Sequence, residues 1–91
     1  MKFQDIKFYD TEVPKGVQGM KHFGDYQLSI VKSDFSYGGN QGLYEIAVFK
    51  DHDQVELPGI TEPGDTVKGF LNESEVEVIM KKMQAISGQI T

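Results

Sequence analysis

The residue types best able to do chemistry sit in three places: the triplet Asp51-His52-Asp53, the glycine-rich stretch from Ser33 to Gly42, and a scatter of serines. The triplet offers two oxygen ligands and one nitrogen ligand to a metal ion. Adjacent residues on a turn rarely converge on one ion, and the other histidine, His22, belongs to a different segment. A polar hairpin turn explains the triplet, so no metal is expected. His22 reads as a half-exposed polar residue on a strand face rather than a catalytic base. Ser29, Ser33, Ser36, Ser74 and Ser87 lack a Gly-x-Ser-x-Gly context, which leaves a catalytic triad without support. The carboxylate pairs Asp51/Asp53 and Glu73/Glu77 are explained by turn chemistry and helix-start electrostatics. The expectation is a protein that is not an enzyme and carries no cofactor.

The glycine stretch Ser33-Asp34-Phe35-Ser36-Tyr37-Gly38-Gly39-Asn40-Gln41-Gly42 is the remaining candidate. Backbone amides of glycine-rich turns can surround an anion. Nucleotide loops, however, run from a strand into a helix, whereas Gly42 leads into a strand and no Gly-Lys-Ser/Thr is present. A recognition surface fits better, since aromatic residues on an adaptable loop supply contact area at low entropic cost. Phe35, Tyr37, Gly38, Gly39, Asn40, Gln41 and Tyr44 are the expected partner-binding set. The plainer alternative has Phe35 and Tyr37 folding back over the end of the core.

The elements that must position this loop follow from periodicity. Ile6 and Phe8 alternate with Lys7 and Tyr9 in a short first strand, stopped by the turn signal Glu12-Val13-Pro14-Lys15-Gly16. Val17 to Phe23 and Tyr26 onward form a hairpin around Gly24-Asp25. Leu43 to Lys50 reads as the central strand, with Tyr44, Ile46 and Val48 on one face and Leu43, Ala47 and Phe49 on the other. Val55-Glu56-Leu57 returns as a shorter strand ended by Pro58-Gly59, and Ile60 to Gly69 is read as a loop over the sheet edge.

A helix then runs from about Glu73 to Ser87. Asn72 caps it, Glu75 closes a capping box and Leu71 staples to Val76. Glu73, Glu75 and Glu77 suit the positive end of its dipole, and Lys81 and Lys82 lie nearer the negative end. Val76, Ile79, Met80, Met83 and Ile86 make one apolar face, and Gly88 stops the helix. The expected fold is α+β: an antiparallel sheet of four to five strands, in β-β-β-β-β-α order, packed on one C-terminal helix. Residues 1–91 form a single domain in this reading.

Composition narrows the function. The formal charge is −5, cysteine is absent, and all nine basic residues are lysine. Lack of cysteine removes disulfides, thiol catalysis and cysteine-ligated zinc. Lack of arginine, which supplies the planar fork for phosphates and base edges, joins the net negative charge in arguing against nucleic-acid binding. An acidic surface instead suits a basic protein partner or simple solubility. No apolar run reaches membrane-spanning length and the N-terminus lacks a signal-like stretch, so a cytoplasmic protein is expected.

The run Ser36-Tyr37-Gly38-Gly39-Asn40-Gln41-Gly42-Leu43-Tyr44-Glu45-Ile46-Ala47-Val48, an acidic turn and then Asp65-Thr66-Val67-Lys68-Gly69-Phe70-Leu71 before a C-terminal helix resemble small uncharacterised bacteriophage-encoded proteins. The likeness covers about residues 23 to 86. It implies a compact acidic protein that binds and modulates a host protein or defence complex. Dispersed acids and nine lysines point to binding through a specific patch rather than wholesale imitation of DNA. A small-ligand or nucleotide-sequestering protein and a self-assembling structural component are the alternatives.

Overall fold

The computed structural model describes residues 2–12 and 14–88. Strands β1 (Phe8–Glu12), β2 (Lys15–Phe23), β3 (Tyr26–Ser33) and β4 (Tyr44–Lys50) form an antiparallel meander. Two strands share the outer edge of β4 end to end. There β5 (Asp53–Gln54) pairs with Phe49 and Lys50, while β6 (Val67–Leu71) runs antiparallel to Tyr44–Ala47. One helix, α1 (Glu73–Ser87), packs on the sheet, giving the α+β architecture. The hairpins close by turn chemistry: Gly24 takes φ +61° as the first central residue between β2 and β3. Between β4 and β5, Asp51 (φ +51°) and His52 (φ +72°) both adopt the left-handed region that a two-residue I′ turn requires. Asp and His tolerate that region better than most side chains.

Strand alternation sorts the side chains into two unlike faces. On the helix side, Phe23, Leu28, Ile30, Tyr44, Ile46 and Val48 bury against Val76, Ile79, Met80 and Met83. Each such side chain removed from water contributes roughly 1.5–3 kcal/mol. Lys32, Lys50 and Lys68 fall on this same side and ring the core, with the Lys32 and Lys50 ammonium groups 5.1 and 5.4 Å from the Tyr44 and Tyr26 ring centroids. The other face carries Gln18, Met20, Gln27, Ser29, Val31, Ala47 and Phe49 across neighbouring strands. Gln18 ties it together, accepting from Tyr9 at 3.1 Å and donating to the Ser29 hydroxyl at 3.1 Å. No second layer of secondary structure covers that face among the described residues.

The helix starts as its sequence dictates. The Glu75 N–H donates to Asn72 Oδ1 at 2.8 Å and the Asn72 N–H donates to Glu75 Oε1 at 2.9 Å. Glu77 accepts from the Phe3 N–H at 2.7 Å, which pins the N-terminal 3₁₀ turn Phe3–Asp5 to the helix and sets Phe3 among Phe8 and Tyr44. Gly88, at φ +76°, ends it.

Four expectations are corrected. Lys15 and Gly16 do not stop the chain but open β2, where a β-carbon on Gly16 would overlap the Lys32 carbonyl; Val13 of that turn lies outside the described residues. The returning strand is Asp53–Gln54 rather than Val55–Leu57, because Leu57 instead closes a turn onto the Thr61 N–H and hydroxyl. The expected loop ends in a strand, β6, and buries Ile60 in the core. Ile86 is 45% exposed. The helix end passes the β2–β3 turn through Ser87, whose Cβ would lie 3.2 Å from a β-carbon on Gly24, and Ile86 is left outside the buried stripe.

These placements set contrasting costs along one helix. Met80→Ala is expected to lower unfolding free energy by about 2–5 kcal/mol, and Ile86→Ala by about 0.5 kcal/mol or less. Urea denaturation of the two variants measures the difference; equal losses would contradict the assigned helix face.

Candidate functional site

The glycine stretch folds as a chain of tight turns. The Ser36 hydroxyl accepts from the Ser33 N–H at 2.9 Å and donates to the Ser33 carbonyl at 3.1 Å, while the Ser36 carbonyl accepts from the Gly39 N–H at 3.0 Å. A 3₁₀ turn, Gly39–Gln41, follows, flanked by Gly38 (φ +86°) and Gly42 (φ +77°) in the left-handed region. The Gly38 carbonyl accepts from both the Gln41 and Leu43 N–H groups, at 3.0 and 2.9 Å. A β-carbon on Gly39 would overlap the Ser33 carbonyl, so glycine is required there for close approach.

This loop seats on an irregularity in β6. The register shifts between Tyr44 and Ile46 of β4, with Leu71 and Lys68 as their respective partners, so Gly69 and Phe70 together oppose Glu45 in a β-bulge. Phe70 takes the bulge strain itself, at φ +58°. For a bulky L-residue that conformation costs roughly 1–2 kcal/mol. Its N–H donates to the Tyr37 carbonyl at 3.1 Å. A β-carbon on Gly69 would overlap that of Tyr37, so loop and bulge meet backbone to backbone.

The result is a corner where two exposed aromatic rings meet, Tyr37 (58%) and Phe70 (54%), with Phe35 (83% exposed) two residues before Tyr37 on the same loop. Tyr37 and Phe70 lie nearly parallel, at 17° with centroids 6.5 Å apart. They share an open cleft of about 330 Å³ with Glu62, Asp65 and Gly69. Glu45, on the uncovered face of the sheet, accepts from the Tyr37 N–H at 3.4 Å. Partial burial pushes the Glu45 carboxyl above its ordinary 4.5; the Tyr37 N–H opposes this and the nearby Asp65 charge adds to it.

Of the residues expected at the site, Phe35, Tyr37, Asn40 and Gln41 are exposed, Gly39 is half-buried and Gly38 is buried beneath the turn. Tyr44 stands apart: it is 8% exposed, on the helix side, with its ring 5.1 Å from Phe3 and 5.6 Å from Phe8. It anchors the strand after the loop and presents no surface. Phe70, Glu45, Glu62 and Asp65 join the corner without having been singled out in the sequence. Gly69-Phe70 after Val67-Lys68 carried the signal, as a glycine interrupting a strand often marks a bulge. At the opposite end of the sheet, His22, Asp25, Asp51 and His52 line one cleft of about 170 Å³, although they come from separate turns. No three ligating side chains converge to hold a metal ion among the described residues. His22 is exposed, with its ring nitrogen 2.7 Å from the Gln27 amide.

No protein-family model matches the chain, and neither a curated protein nor a solved structure shows significant similarity to it.

Two outcomes follow from the bulge and its carboxylate. Phe70→Gly and Phe70→Ala both delete the ring, yet only glycine is free of strain at φ +58°. The glycine variant is expected to be more stable by about 1 kcal/mol, and equal melting behaviour would contradict the assigned backbone. Because Glu45 titrates higher when folded, the native state holds more protons than the unfolded chain in the window upward from 4.5. Glu45 therefore withdraws stability as pH rises through that window. Glu45→Gln should flatten this part of the stability profile, measured by denaturant titration at a series of pH values; an unaltered slope would contradict the burial of the carboxyl.

Proposed function

We propose that this chain is a non-enzymatic protein-binding module that acts in the cytoplasm, docking on a host protein and modulating it. The resemblance of its glycine motif to small phage proteins supports a host protein as the partner. The single observation that carries the reading is the exposure of three rings, Phe35 and Tyr37 on the glycine loop and Phe70 on the bulge against which that loop seats. The turns of Ser36, Gly38 and Gly39 and the Tyr37–Phe70 backbone hydrogen bond hold that corner in shape. Aromatic side chains are the residues on which binding energy concentrates, and a backbone already in its bound shape loses little entropy on docking.

The neighbouring sheet face supports the same reading. Its side chains are Gln, Ser, Met, Val, Ala and Phe, with His22 beside Gln27 and Glu45 as the one carboxylate among the paired positions of β2, β3 and β4. Interface centres are depleted of charge in this way. The chain's charged strand residues fall instead on the helix side, around the core.

Removing Phe35 and Tyr37 together by alanine substitution is expected to abolish partner capture from a bacterial lysate, with an unchanged circular dichroism spectrum. Capture undiminished in the double variant would sink this assignment.

A further inference from the structure

We propose that the cleft lined by Tyr37 and Phe70 is the seat for one arginine side chain of the partner, stacked on an aromatic face there and paired with Asp65 and Glu62. The inference rests on the docking role above and assigns the chemistry of its anchor. Three features of the corner converge on a planar cation. Two aromatic rings lie within 17° of parallel, so a guanidinium laid flat on one is parallel to the other. Guanidinium groups stack on aromatic faces and are attracted by their negative quadrupole. Both residues are more than half exposed and line the open cleft, so a group entering from solvent reaches them.

Charge complementarity selects the sign. Glu62 and Asp65 line the same cleft, and Glu45 lies close enough to feel the Asp65 charge. No lysine of the described residues forms an ion pair with any of the three, and no cation is among the influences on Glu45. The lysines of β3, β4 and β6 lie on the other side of the sheet. The corner thus gathers acids and aromatic rings and holds no internal counter-charge. An arginine also uses the geometry more fully than a lysine, because its fork can meet a carboxylate bidentately while its plane stacks. The charge-poor sheet face beside the cleft then receives the residues flanking that arginine, and the fixed corner sets their register.

The test uses the whole chain and a capped Gly-Arg-Gly peptide, followed by amide chemical shifts. Saturable shifts are expected at Tyr37, Asp65, Gly69 and Phe70, with affinity at least about tenfold lower for the citrulline peptide, which keeps the shape and loses the charge. Phe70→Gly, which relieves the backbone while deleting a ring, and Asp65→Asn should each weaken the response while shifts elsewhere stay native. An equal response to citrulline or to lysine, shifts centred away from the cleft, or undiminished binding by Phe70→Gly would overturn the assignment. Wild-type protein that captures a partner through Phe35 and Tyr37, yet gives no shift with the arginine peptide, overturns the arginine seat and leaves the docking loop standing. Peptide binding without any partner capture does the reverse.

Discussion

The close fit of Tyr37-Gly38 onto Gly69-Phe70 is the constraint from which the rest of the corner follows. At Gly69 a side chain would collide with Tyr37, and at Gly38 a β-carbon would lie 3.0 Å from the Phe70 Cα. Contact this tight lets the Phe70 N–H reach the Tyr37 carbonyl and the Tyr37 N–H reach Glu45. The loop thereby seats on β6 at the point where that strand bulges away from regular pairing with β4. Strain at Phe70 is held in place by these neighbours, and the ring it carries is thrown outward instead of being buried. A bulge used to re-aim a side chain is a recurrent device beside functional surfaces.

The corner and the core are built from separate sets of residues. Packing energy comes from the helix side, where Phe23, Leu28, Ile30, Ile46, Val48, Met80 and Met83 are sealed from water. Tyr44 and Glu45 mark the division, as neighbours in sequence that point to opposite faces. The first belongs to the aromatic cluster with Phe3 and Phe8, the second to the corner. This separation lets exposed rings, a left-handed phenylalanine and a partly desolvated carboxylate coexist with a fully packed interior. Each of these would be a defect in the core, and none of them is among its buried residues.

Much of the fold was legible because its signals are local. Asn72 and Glu75 state the helix start, Gly88 its end, and Gly24-Asp25 the hairpin, each through a backbone requirement that one or two residues satisfy. The central strand announced itself through the alternation of Tyr44, Ile46 and Val48. Strand β6 was hidden by its own bulge: Lys68 and Leu71 share a face while three residues apart, which breaks the two-residue period that reveals a strand. The loop aromatics Phe35 and Tyr37 could be read as a surface from their setting, but Phe70 could not, because its exposure depends on a positive φ that no propensity assigns to phenylalanine. Tyr44 was expected among the partner-binding residues and is a core residue, a consequence of the strand parity that sets it opposite Leu71 of β6 and on the same face as Ile46 and Val48. The meeting of Glu45 with Asp65 depends on tertiary placement alone.

The most direct test of the account is hydrogen exchange at the Phe70 amide, compared between the wild-type chain and Gly69→Ala. In the wild type this amide should exchange slowly, since its hydrogen is donated to the Tyr37 carbonyl at 3.1 Å. In the variant it should lose that protection, while amides of β2 and β3 keep theirs. A wild-type Phe70 amide that exchanges as fast as an unstructured loop, or one indifferent to Gly69→Ala, would contradict the claim that the loop and the bulge hold each other in place.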